Sequence, residues 1–336
     1  MEYLFGFLVF FGQALIILAV IAAIIILIAI LIARSSALKS ELELERLDRK
    51  QEQRARQVRL SLMSPKDRKK ELKKEKKKDN EEKERKSHTF VLDFKGDTKA
   101  SQVDSFREEI SALLEVATPQ DDVIVRLESP GGMVHSYGLA ASQLLRIKKA
   151  NLRLTVCVDK VAASGGYLMA CTADRIVAAP FAIVGSIGVV AQVPNLHRLL
   201  QKNQVDYKEY TAGEYKRTIS ILGQITEKGE EKFLQQLEDT HLLFKKFVIE
   251  NRPRLDLPKI ATGEHWYGTQ ALELGLIDDI LTSDEVLRDA AKTRAVVQMK
   301  YQKKQGMGEK LSSIMGRAAQ GAFEKTLESL ESRRWF

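Results

Sequence analysis

The stretch VAASGGYLMA, residues 161–170, sets a single serine, Ser164, between two alanines and two glycines. A serine hydroxyl becomes a nucleophile when a base takes its proton and nearby donors hold the oxyanion that its attack creates. Gly165 puts an unhindered N–H directly after Ser164. A second glycine turn lies in LESPGGMVHSYG, residues 127–138. There Pro130 fixes the chain as it leaves a strand-like run, and Gly131 and Gly132 allow positive φ and close backbone approach. Each turn alone is a common tight turn. Together they fit an oxyanion hole that draws one N–H from each of two turns.

The nucleophile needs a base. The five histidines, His88, His135, His197, His241 and His265, carry no local signature that ties them to a serine. Lys216, in YTAGEYKRT (210–218), follows a glycine-containing turn and Tyr215. A lysine acts as a general base once desolvation brings it toward neutrality, although most lysines are solvated surface charges. The two cysteines, Cys157 and Cys171, sit in apolar runs and read as buried free thiols; their spacing suggests neither a disulfide framework nor a zinc site.

The elements that must position these residues lie between 89 and 291. FVLDF (90–94), VIVRLES (123–129), LTVCVD (154–159) and RIVAAP (175–180) predict short buried strands rich in β-branched residues. Helical patterns fall between them, at about 101–117, 134–149 and 164–172, and a longer amphipathic helix covers 231–252. This alternation predicts an α/β domain with a largely parallel sheet.

The flanks differ in kind. Between Glu2 and Arg34 there is no charged residue, and FLVFFGQALIILAVIAAIIILIAILIA exceeds the roughly 20 apolar residues that cross a bilayer. A secretory signal peptide has a basic start and a shorter apolar core, so residues 1–33 read as an uncleaved transmembrane helix in a lipid bilayer. Residues 34–88 carry 20 Lys/Arg against 12 Asp/Glu, which accounts for the whole net charge of +8. They read as a charged helical stalk, either lying near anionic lipid or acting as a solvated spacer. Because the rest of the chain balances, the charge does not point to nucleic acid. Residues 292–336 are polar and basic and read as a helical extension ending in Trp335 and Phe336.

The set SPGG, VAASGGY, APFAIVGSIGV, AGEYKR and GEHWYGTQALELGLID, in this order, resembles the signal peptide peptidase A group of membrane serine peptidases. With the apolar N-terminus and basic stalk it is most similar to the SohB branch of that group. The resemblance covers about residues 90–285. It implies a Clp-protease/crotonase-like peptidase domain that works by a Ser/Lys dyad without metal or cofactor. Ser164 is then the nucleophile, Lys216 the general base, and Ser186 the residue that orients the lysine. Gly131 or Gly132, with Gly165, supplies the oxyanion hole. It also implies peptide or protein substrates and a homo-oligomer in which Ser164 and Lys216 meet across a subunit interface.

Three other readings compete. A crotonase-like acyl-CoA enzyme uses two backbone N–H groups without a serine nucleophile. A membrane scaffold with a degenerate peptidase domain needs neither Ser164 nor Lys216. A third pairs Ser164 with His197 and an aspartate. The resemblance places the chain in a bacterial inner membrane. The basic residues after the apolar run favour a cytoplasmic catalytic domain, while family analogy favours the periplasmic face.

Overall fold

The computed structural model describes residues 41–78 and 87–302, together with Val20. No helix among the described residues is long and apolar enough to cross a membrane. The expected transmembrane segment, residues 1–33, lies outside them apart from Val20, as does the chain beyond residue 302.

Among the described residues, ten strands form two sheets. They are β1 (Leu42–Arg46), β2 (His88–Lys95), β3 (Asp122–Glu128), β4 (Arg153–Val158), β5 (Val161–Ala163), β6 (Arg175–Ala178), β7 (Ile183–Gly185), β8 (His265–Tyr267), β9 (Asp279–Ile280) and β10 (Ala295–Tyr301). The larger sheet runs β1-β10-β2-β3-β4-β6-β9, and the pairings from β10–β2 across to β6–β9 are parallel. The smaller runs β5-β7-β8, with β5–β7 parallel and β7–β8 antiparallel. A single parallel bridge, Ser129 to Ala162, joins the end of β3 to β5 and so links the two sheets.

The described helices are α1 (Leu47–Leu62), α2 (Pro65–Lys78), α3 (Val103–Val116), α4 (Val134–Lys149), α5 (Gly165–Ala170), α6 (His197–Lys202), α7 (Glu227–Asn251), α8 (Leu257–Ile260), α9 (Gly268–Glu273) and α10 (Ser283–Ala290). The central strands are buried on both faces, which explains why they read as nearly unbroken apolar runs. Along β2, Phe94 points to one side and meets Phe106 of α3 and Tyr137 of α4 edge-on, at 5.2 and 6.3 Å between ring centres. Residues of opposite parity, Val91, Ile124, Cys157, Val177 and Val296, cluster on the other side with Leu287 of α10, and Leu47 of α1 packs against them. Helix α3 buries Phe106, Ile110 and Leu113, spaced at i, i+4 and i+7, against this sheet. Both cysteines are buried and free, and burial pushes each thiol up to about 12, so neither forms a thiolate nucleophile near neutral pH.

Two flanking expectations need correction. Residues 295–301 are not helical; they form β10, which pairs with β2. Without β10 the outer edge of β2 would present a row of unpaired backbone groups. The stretch AVVQMKY suits the place, since Ala295, Val296 and Met299 bury themselves while Gln298 Nε2 donates to Asp93 on β2 (2.7 Å). Asp93 in turn holds Arg126, its register partner on β3, through two bonds of 2.6 and 2.7 Å. In the described part of the charged segment expected as a helical stalk, a strand, β1, likewise precedes helices α1 and α2. The sheet therefore draws on both sides of the 89–291 core.

The buried carboxyl of Glu109 on α3 faces β10. Its Oε1 accepts the Tyr301 N–H (2.8 Å), while its Oε2 is buried without a hydrogen-bond partner among the described residues. Burial raises this carboxyl to about 7, with Asp93 adding to the rise and the Tyr301 N–H and Lys300 opposing it. The folded value exceeds the ordinary 4.5, so the stability Glu109 contributes is complete below 4.5 and is lost as pH rises through about 7. Glu109→Gln keeps the bond to Tyr301 and removes the charge. It should be more stable than the wild type by roughly 1–3 kcal/mol at about pH 8 and lose that advantage by about pH 4, read from urea midpoints.

Candidate active site

Ser164 stands between strand β5 and helix α5 with φ 51° and ψ −117°, a conformation that non-glycine residues rarely adopt. Such a backbone costs of order 1–3 kcal/mol and persists only where its surroundings impose it. Here they do. The Ser164 N–H donates to Gly185 O (2.8 Å), and its carbonyl accepts Leu168 N–H (2.9 Å) as the first bond of α5. The strand–turn–helix bend leaves Ser164 half-buried at the wall of a cavity, the kind of turn on which nucleophiles are carried. No hydrogen-bond partner of Ser164 Oγ is found among the described residues.

The two glycines after Ser164 are there because nothing larger fits. A Cβ on Gly165 would lie 2.4 Å from Tyr137 Cγ, and one on Gly166 would lie 2.6 Å from the Ser129 carbonyl oxygen. The SPGG turn arrives from the end of β3. Gly131 has φ 90°, and a Cβ on it would fall 2.7 Å from Ser164 Cβ and 2.8 Å from Gly165 N. The two turns read as separate in the sequence are therefore in contact.

The amides of this turn are not equivalent. Gly131 N–H donates to Ser129 Oγ (3.1 Å). Gly132 N–H and Gly165 N–H have no acceptor among the described residues. Gly132 is itself held against Thr98, whose carbonyl accepts the next amide, that of Met133 (2.8 Å).

Ser186 follows β7 with φ 54°. Its N–H donates to Glu264 O (2.7 Å) and its hydroxyl makes a long bond to Gly263 O (3.4 Å). Ser164, Ser186, Gly131, Gly132 and Gly165 all line one cavity of about 950 Å³. Helix α7 also contributes to its lining, with Leu243, Phe244 and Phe247.

Lys216 is not among the residues that line it. It lies exposed in the irregular segment between α6 and α7, its backbone N–H bonded to Gly213 O (3.2 Å). His197, at the start of α6, does not line the cavity either. His135 and His241 do, and among the described residues the lining contains no Asp, Glu, Lys or Arg. Sequence reasoning singled out neither histidine. The available signal was the helical spacing of His241, Phe244 and Phe247, which share one face of α7.

Models of two parts of one peptidase family match the chain in succession, "Peptidase family S49 N-terminal" over residues 2–144 and "Peptidase family S49" over residues 146–297. The chain is also similar to a "Probable protease SohB" of Haemophilus influenzae, with 59% identity over 229 residues, 68% of this chain and 65% of that protein. A "Probable protease SohB" of Buchnera aphidicola subsp. Acyrthosiphon pisum is 53% identical over 219 residues, 65% of each chain. These matches span slightly less than two thirds of the length of either relative. A strained serine turn, a glycine turn packed against it and a mixed α/β scaffold around both are thus found in a chain that belongs to peptidase family S49.

Proposed function

We propose that this chain is a membrane-anchored serine endopeptidase that cleaves peptide bonds through an acyl-enzyme, with Ser164 as nucleophile and Lys216 as base. The observation that carries this reading is the site itself. A cavity-lining serine on a strained turn touches a second turn, two amides beside it lack acceptors among the described residues, and the relatives bear protease names. The reading extends to a scaffold related to the Clp protease and the crotonases.

The chemistry follows from these parts. The neutral Lys216 amine takes the Ser164 proton as Oγ attacks the peptide carbonyl. The carbonyl oxygen becomes an oxyanion and accepts hydrogen bonds from Gly132 N–H and Gly165 N–H. The lysine then gives its proton to the leaving amine, and water attacks the acyl-enzyme by the reverse sequence. Ser186, at the cavity wall, orients the amine. The apolar wall of Leu243, Phe244 and Phe247 suits substrates with apolar side chains, such as signal peptides or segments of membrane and envelope proteins. The apolar run at residues 7–33 is the anchor that keeps the enzyme beside such substrates.

The position of Lys216 supports a shared site. The cavity around Ser164 holds no lysine of its own, and Lys216 is exposed on a segment rich in uncovered apolar side chains. Tyr210 is 89% exposed and Ile221 is also largely open in that segment, as are Leu199 of α6 and Val190 of the cavity lining before it. A second copy seated on this segment would cover them and carry a lysine to its neighbour's serine. Closure would also remove water, which favours the neutral amine.

Ser164→Ala and Lys216→Ala should each abolish hydrolysis of a labelled protein substrate while leaving the circular dichroism spectrum unchanged. Lys216→Arg should be equally dead, because a guanidinium stays protonated. Near-normal turnover by the arginine variant would overturn the role of Lys216. Gly131→Ala, whose new methyl meets Ser164 Cβ and two backbone atoms, should lose on the order of 100-fold or more in kcat. Mixed oligomers of Ser164→Ala and Lys216→Ala chains should regain part of the activity; mixed oligomers that form and remain inactive would show that the two residues do not meet across an interface.

A further inference from the structure

Two fully buried hydroxyls beneath the site take no part in the steps above. Ser129 and Tyr137 have no solvent exposure, and their oxygens lie 2.6 Å apart. The direction of this bond follows from its neighbours. Tyr137 donates its single proton to the Asp97 carbonyl (2.8 Å), so Ser129 must be the donor to Tyr137 Oη. Ser129 Oγ is left as an acceptor, and the Gly131 N–H fills it at 3.1 Å. A one-way chain results, from Gly131 through Ser129 and Tyr137 to Asp97, in which each bond polarises the next.

The same two residues also grip the turn that carries the nucleophile. The Ser129 N–H donates to Val161 O (2.8 Å) and its carbonyl accepts the Ala163 N–H (3.0 Å), pinning it to β5 immediately before Ser164. The Tyr137 ring lies directly under Gly165.

We infer that Ser129 and Tyr137 are positioning residues for the oxyanion hole: their hydroxyl pair turns the Gly131 amide inward, so that Gly132 is the amide presented to substrate, and holds that amide in register with Ser164 and Gly165. This rests on the peptidase reading. Their task is to keep two donors from two different turns aimed at one point, a geometry in which small displacements are expensive.

The test uses the full chain in detergent micelles and a fluorophosphonate probe, whose phosphonyl oxygen occupies the oxyanion position once Ser164 is labelled. Labelling of the wild type, Ser129→Ala and Tyr137→Phe is resolved into a maximal rate and a half-saturating concentration, with thermal melting measured alongside. Ser129→Ala should lower the maximal rate by about 10- to 100-fold, with the half-saturating concentration changed by less than about threefold. Tyr137→Phe leaves Ser129 able to accept from Gly131 and should lower the rate by a smaller factor. A merely structural role would lower the melting temperature and the labelled fraction without slowing the folded molecules. Unchanged maximal rates in either folded variant would overturn the inference. If Ser129→Ala does not fold, Tyr137→Phe decides alone, because it retains the ring that packs under Gly165. Failure of the wild type itself to be labelled at Ser164 would overturn the peptidase reading, and this inference with it, and so is distinguishable from failure of the variants alone.

Discussion

The absence of a side chain at Gly131 is what lets the turn after β3 lie against the turn after β5, within van der Waals reach of Ser164. Any Cβ there would strike Ser164 Cβ, the Ala163 carbonyl and the Gly165 amide together. Gly132, Gly165 and Gly166 meet the same constraint against Thr98, Tyr137 and Ser129. The site is built where backbones approach too closely for side chains, and this is how amides from distant parts of the chain come to flank one serine. The strain in Ser164 is held by the same contacts, through its bond to Gly185 and the bridge from Ser129 to β5.

The rest of the domain supplies rigidity for that approach. Parallel strands buried on both faces fix where β3 ends, and helix α4 carries Tyr137 back under the nucleophile turn while its neighbour α3 packs on Phe94. Charges are kept at the margins or paired across strands, as with Asp93 and Arg126. The exception is Glu109, buried against β10 with one oxygen unpartnered, which ties the stability of the outer sheet to pH. Glu109 is not among the residues that line the cavity beside Ser164.

The lining of the cavity beside Ser164 is informative in its own right. Five of the six residues expected to form the site line it, and among the described residues its lining contains no acidic or strongly basic side chain. The sixth, Lys216, lies on an exposed segment whose apolar side chains face solvent in the single chain. Water-covered apolar surface of that kind is a common mark of association. The described residues thus bring Ser164, Ser186 and the three glycines to one cavity and leave Lys216 outside it.

Much of this was legible in residue order. The β-branched runs at 90–94, 123–129 and 154–159 marked central strands, because strands buried on both faces need apolar residues throughout. The 3.6-residue spacing marked α3, α4 and α7, and the glycines around Ser164 and Pro130 marked two turns. Strands β1 and β10 escaped notice because they lie among charged residues and gain their ordered form only by long-range pairing with no local signature, β10 covering the edge of β2 and β1 covering β10. The commitment of the Gly131 amide to Ser129, the links from Ser129 to Tyr137 and β5, and the arrival of His135 and His241 at the cavity were also beyond sequence reading. Local pattern determines which segments become strands, helices and turns, since it sets which face each can bury. Which turns meet, and which amide is left free between them, is decided only when the register of the parallel sheet brings the ends of distant strands to one place.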